Sequence, residues 1–158
     1  MHRCRGFRVV SLSPSSAPPD QAAPRGIRNN NPGNIDRDGT AWDGMAADQS
    51  TDPRFVVFTA PEWGLRAILR IIHSYEGRGL STVRGWISAW APPSDGNDTD
   101  AYVAAVAGAV GVDPDAAVSI EDPVTAYAVL GAITRQENGE QPYSADLLGR
   151  AFSLAFPG

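Results

Sequence analysis

The sequence predicts a mostly helical α+β domain in which about five helices follow a short region of loop and strand. Three features carry that expectation. From residue 60 onward, apolar residues recur at the spacing that gathers side chains on one face of a helix. Each such stretch is opened by Ser, Thr or Asp and closed by Gly or Pro, the residues that start and stop helices. Residues 25–59 are instead rich in Asn, Asp, Gly and Pro and end in the strand-like run Arg54-Phe55-Val56-Val57-Phe58. At 158 residues the chain suits one domain large enough to bury its own core.

Taken in order, residues 1–24 are expected to be a flexible tail or an overcalled start, and residues 25–158 the domain. Arg3, Arg5 and Arg8 followed by Val9, Val10 and Leu12 imitate a signal peptide, but the apolar run is too short. The Ser/Ala/Pro stretch after it cannot bury enough side chain to offset its ordering entropy. Thr59 to Glu62 reads as a capping box with Pro61 in the first turn of a helix running through Tyr75. Its polar residues Glu62, Arg66, Arg70, His73 and Ser74 form one narrow wet stripe, with Glu62 expected to complete the cap and pair with Arg66. Ser81 is expected to cap a short helix with Val83, Trp86, Ile87 and Trp90 on one face, stopped by Pro92 and Pro93. Asp98 or Thr99 opens a helix carrying Tyr102, Val103, Val106 and Val110 and ending at Gly111. Asp122 and Pro123 open the next, which runs to about Asn138 and stops at Gly139, and Ser144 caps a last helix ending near Ala155.

Composition narrows the function classes. Hydrophobic residues make up 42% of the chain and charged residues 20%, an ordinary soluble balance, and no apolar run is long enough to span a membrane. The net charge of -5 disfavours a sequence-independent grip on nucleic acid. One cysteine, Cys4, closes no intrachain disulfide, and no Cys/His spacing suggests a zinc site. Neither metal nor cofactor is expected, and a monomer is.

Glu137 is the most informative residue. Four and seven positions before it stand Ile133 and Leu130, so on a continuous helix Glu137 extends the core-facing stripe. Burial and the negative end of the helix dipole both favour the protonated carboxyl, the form that gives a proton to a leaving glycosidic oxygen. The competing reading is a frayed helix end, with Glu137 in water beside Arg135. Glu62 is the rival acid, explained structurally by its cap. Asp36, Asp38, Asp52 and Asp95 lie in polar loops, each available as a second carboxylate and none singled out. His2 and His73 suggest no metal or base. In Asn29-Asn30-Asn31-Pro32-Gly33-Asn34-Ile35, Asn and Gly accept left-handed backbone angles, which gives a tight turn. Asn amides also pair a donor with an acceptor, which suits sugar hydroxyls and acetamido groups, so Asn30, Asn31 and Asn34 are expected to contact a glycan. Trp86 and Trp63 read as core, Trp42 and Trp90 as a flat wall against a sugar ring.

The stretch Ala132–Ser144, AITRQENGEQPYS, resembles the segment around the catalytic glutamate of soluble lytic transglycosylases, with Glu137 at the glutamate position, Ser144 at a later serine, and Asn138 in place of the usual serine. NDTDAYVAAV resembles a second segment of that family through Thr99, Tyr102 and Val103. NNNPGNI, then Trp42-Asp43-Gly44 and RFVVFTAPEWGLRA, resembles flagellar-type glucosaminidases, another lysozyme-like group. The glutamate segment stands last here and first in those families, an order that circular permutation of a lysozyme-like domain explains. As a whole, Arg25–Ala155 resembles phage and prophage virion-associated proteins that carry RGIRNNNPGNI, WAPP, NDT-x-x-Y and ENG-x-x-PYS.

These resemblances imply a lysozyme-like domain that cleaves the glycan strands of peptidoglycan, as a lytic transglycosylase or a muramidase or glucosaminidase, with Glu137 as general acid. They add Thr99, Tyr102, Tyr143 and Ser144 to the expected substrate contacts. They also imply a protein carried in a phage virion, or held in the host cytoplasm before delivery to the periplasm and wall, with other virion proteins as further partners. Two rival readings remain: a non-enzymatic virion component on the same fold, and a glycan-binding module without chemistry.

Overall fold

The structure, a computed structural model, describes residues 23–158. It is mostly helical. The helices are α1 (Arg25–Arg28), α2 (Pro61–Gly77), α3 (Val83–Trp90), α4 (Thr99–Val110), α5 (Pro123–Asn138) and α6 (Ala145–Ala155), with a 3-10 turn at Pro93–Asp95. The expected tail, residues 1–24, lies outside the described residues except for its last two. Pro24 already belongs to the domain, its carbonyl accepting from Arg28 N at 3.0 Å.

Helix starts and stops fall where local chemistry puts them. Asp98 accepts from Ala101 N at 3.1 Å, Asp122 from Thr125 N at 3.0 Å, and Ser144 from Leu147 N at 3.2 Å. Each satisfies an amide that has no partner inside its helix. Gly111 and Gly139 end α4 and α5 with φ of 82° and 78°, the left-handed stop that other residues adopt only with strain. The cap of α3 is Thr82, which accepts from Gly85 N at 3.0 Å, one residue beyond the expected Ser81.

The capping box at Thr59 does not form. The N-cap of α2 is Ala60, without a side-chain bond, while the Thr59 hydroxyl donates to the Gly44 carbonyl at 3.1 Å. Arg66 does not pair with Glu62 either; it reaches Asp43 at 3.0 Å. The predicted wet stripe of α2 is a docking seam. Arg66 Nε and Arg70 Nη1 donate to the carbonyls of Leu154 and Ala155 at 3.4 and 3.2 Å, and His73 meets the Phe156 ring edge-on. Two guanidinium groups thus meet the negative end of α6, satisfying carbonyls that the helix itself leaves open.

The core gathers Leu65, Ile68, Leu69 and Ile72 of α2, Trp86, Ile87 and Trp90 of α3, Tyr102, Val103 and Val106 of α4, and Val129, Leu130 and Ile133 of α5. The loop region contributes Ile35, Phe55, Val56 and Phe58. Its expected strands appear as isolated antiparallel bridges, Asp36 with Phe55 and Met45 with Phe58. Side chains do much of the backbone pairing there. Gln49 receives Val57 N through Oε1 and gives Nε2 to the Ala46 and Val57 carbonyls.

Asn31 is a second such bracket, and the expectation that it faces a glycan is corrected. Its side chain is fully buried; Nδ2 donates to the Ile35 and Val56 carbonyls at 3.1 and 2.8 Å, and Oδ1 accepts from Ile35 N at 3.0 Å. Asn31→Ala leaves the Ile35 amide and the Val56 carbonyl unpaired out of reach of water, while the Ile35 carbonyl keeps its bond from Val56 N, so a loss of about 3 kcal/mol is expected. Denaturant unfolding of the variant measures it; an unchanged midpoint would show that the bracket is dispensable.

Candidate active site

Helix α5 carries Glu137 into its last turn on the face that buries Leu130 and Ile133. Glu137 is only 7% exposed, which decides against the frayed helix end. Two segments distant in sequence close on it. From α4 the Tyr102 hydroxyl, itself buried, donates to Oε2 at 2.9 Å. From the asparagine turn, Asn34 Nδ2 donates to Oε1 at 3.4 Å.

The turn that delivers Asn34 is left-handed at two points, with φ of 53° at Asn30 and 49° at Asn34. Asn tolerates this better than other residues with a side chain, as the sequence reading anticipates. Asn30 Nδ2 donates to the Phe58 carbonyl at 3.1 Å, so its amide fastens the turn. Asn138, next to Glu137, clamps the turn to the helix end by donating to the carbonyls of Pro32 and Thr134 at 2.8 and 2.9 Å. Gly26 lies underneath, where a Cβ would fall 2.5 Å from Asn138 Oδ1 and 2.7 Å from Asn34 Oδ1. Only glycine lets α1 approach the clamp. The role of Asn138 was missed, although an Asn directly before a helix-ending Gly is placed to bond back to its own last turn and outward to a neighbour.

Of the expected contacts, Asn34, Tyr102 and Glu137 come together. Trp90 does not form a sugar wall; it is buried beneath the turn, so that a Cβ on Gly33 would lie 2.9 Å from its ring. Thr99 is buried and donates to the Ala91 carbonyl at 2.6 Å, tying the start of α4 to the end of α3. Ser144 caps α6. Trp42 is half-buried and packs on the core rim. Tyr143 is half-buried too; burial, and then the charge of Glu140, push its hydroxyl up to about 12, so it stays protonated at neutral pH.

The loop aspartates have structural work. Asp52, almost completely buried, accepts from Arg25 Nε and Nη2 at 2.6 and 2.7 Å, from Asn29 Nδ2 at 2.8 Å, and from the amides of Arg54 and Phe55. Burial alone would raise its pKa, but these donors, Arg25 foremost, hold it far below the usual carboxylate range. Asp36 pairs with Arg54, and Asp38 closes a turn on the amide of Thr40. Glu62, relieved of cap and pair, lines a groove of about 950 Å³ with Trp63, Tyr127 and Asp146, and Glu137 is not among the residues of its wall.

Among the described residues no cluster of His, Cys, Asp and Glu is arranged to hold a metal ion, and no helix is long and apolar enough to cross a membrane. No protein-family model matches the chain. Over 140 residues, 86% of this chain and 84% of the relative, the sequence is 37% identical to Protein P5 of Pseudoalteromonas phage PM2. With that identity across most of both proteins, the turn, the tyrosine helix and the glutamate helix described above are those of a member of the family of this phage protein.

Proposed function

We propose that this phage-family protein cleaves peptidoglycan glycan strands between N-acetylmuramic acid and N-acetylglucosamine, with Glu137 as general acid on a lysozyme-like fold of permuted segment order. One observation carries the reading. Three segments that separately resemble parts of lysozyme-like enzymes, the asparagine turn, NDTDAYV and QENG, meet at one carboxyl, with Asn34 and Tyr102 bonded to Glu137.

In the proposed step the Glu137 proton passes to the bridging oxygen as the C1–O bond breaks, and the leaving sugar departs as an alcohol. Tyr102 and Asn34 donate to the resulting carboxylate. The substrate's own C6 hydroxyl then bonds to C1 and returns its proton to Glu137, closing an anhydro ring. Attack by water instead leaves a reducing end. We favour the ring-closing course because Asp36 and Asp52 are committed to Arg54 and Arg25, and a water-activating partner is thereby unassigned. Glycan strands are the proposed partner, met from a virion or after release from the host cytoplasm.

Mass analysis of muropeptides released from purified peptidoglycan tests this reading. Anhydro ends are expected; reducing ends would replace ring closure by hydrolysis, and no release from an intact protein would sink the enzyme. Tyr102→Phe gives a second test. A general acid works while protonated, so the rate falls as pH rises through its pKa. Removing a donor that favours the carboxylate raises that pKa, so the alkaline limb of the pH–rate profile should move to higher pH. A limb that stays in place would detach Tyr102 from the proton transfer.

A further inference from the structure

The groove lined by Glu62 lies apart from Glu137 and has its own chemistry. Its walls carry two half-buried aromatic side chains, Trp63 of α2 and Tyr127 of α5, and its rim carries Glu62, Asp146 and Arg150. Asp146 and Arg150 stand four residues apart on α6, the spacing at which opposite charges readily pair on a helix. They do not pair: among the described residues neither they nor Glu62 enters an ion pair. Gly149, between them, leaves the α6 wall low; a methyl there would lie 3.6 Å from the Tyr127 hydroxyl. Partly exposed aromatic surface beside unengaged acceptors and a forked donor suits a ligand with apolar ring faces and a periphery of hydroxyl and amide groups. A saccharide has that character. An anionic polymer does not, since two carboxylates would oppose it.

We propose that this groove is a second saccharide-binding site, which holds a glycan segment while Glu137 acts elsewhere on the wall. The choice of an N-acetylated glycan rests on the function proposed above; the groove's affinity does not depend on cleavage. The probe is the N-acetylglucosamine tetramer, titrated into the full-length Glu137→Gln protein and followed by backbone amide NMR. Shifts are expected at Asp146, Gly149 and Arg150, together with at least a tenfold loss of affinity at those positions in an Asp146→Ala/Arg150→Ala protein. Both side chains lie on exposed helix surface, so that variant should keep its fold, which its amide spectrum checks.

Shifts confined to residues around Glu137 would overturn the proposal. So would shifts at the groove produced by a sugar-free stem peptide and not by the tetramer, or shifts that follow protein concentration without ligand, which would make the groove a contact between copies. If groove binding persists while Glu137→Gln still degrades peptidoglycan, the acid assignment fails and the second site stands. If Glu62→Gln abolishes degradation in a folded protein, the groove is itself the reaction site and the inference of a separate anchor falls.

Discussion

Glu137→Gln should reduce glycan cleavage by about a hundredfold to ten-thousandfold, the usual worth of general acid catalysis, while the protein stays folded. Glutamine keeps the length of the side chain and an oxygen able to accept from Tyr102, but has no proton to give at neutral pH. One of its amide positions must present N–H₂ where the carboxylate now accepts, opposite either Tyr102 or Asn34. A small loss of thermal stability is therefore expected beside the large loss of rate. The matched control is Asp115→Asn, which removes an exposed pair with Arg84 far from any proposed chemistry. Exposed pairs contribute little, so that protein should match the parent in rate and melting. Turbidity clearing of purified peptidoglycan gives the rates, and an active Glu137→Gln protein would end the assignment.

Gly64→Ala should cost about 3 kcal/mol or more, the upper range for overpacking, although alanine gains about 1 kcal/mol over glycine inside a helix. A Cβ at Gly64 would lie 1.9 Å from the Asn30 carbonyl oxygen and 3.0 Å from Pro32 Cδ. Neither obstacle is the free end of a flexible side chain. The turn cannot retreat easily, since Asn30 is tied to Phe58 and Asn31 to Ile35 and Val56. Any retreat also carries Asn34 off Glu137, so the rate per folded molecule should fall together with the unfolding midpoint. Gly77→Ala, at the other end of the same helix with open space around it, should be neutral or slightly stabilising. Equal midpoints for the two variants would refute the close approach.

Local chemistry explains why so much of the helical frame was legible. An Asp or Ser that caps a helix bonds to an amide three residues ahead, and a Gly that stops one needs only its own backbone freedom. Asp98, Asp122, Ser144, Gly111 and Gly139 therefore declare themselves without reference to the rest of the chain. Thr59 carried the same local signal and failed, because its hydroxyl had a distant alternative in the Gly44 carbonyl. Periodicity placed Glu137 on the buried face for a similar reason, since a helix fixes the bearing of residues four and seven positions back.

The partners of that acid were beyond any local rule. Tyr102 lies 35 residues and Asn34 103 residues from Glu137 in the chain. Asparagine's ambiguity was decisive too: Asn30, Asn31 and Asn34 offer the same amide, and only the packed structure assigns one to Phe58, one to Ile35 and Val56, and one to the acid. Trp90 was misread because it ends its helix beside the Pro92-Pro93 loop, where a ring could equally face outward, while its neighbours in space are Gly33 and the core. The α2 stripe was misread as wet because charge suggests solvent, whereas Arg66 and Arg70 met the open carbonyls of α6. The sequence by itself determined the five longer helices, most of their ends and the inward bearing of Glu137, because those follow from bonds spanning a single helical turn, whereas the short helix Arg25–Arg28 was read as loop. The tertiary structure alone decided which polar groups are brackets and which face the acid, because burial and long-range hydrogen bonding exist only once the segments are packed.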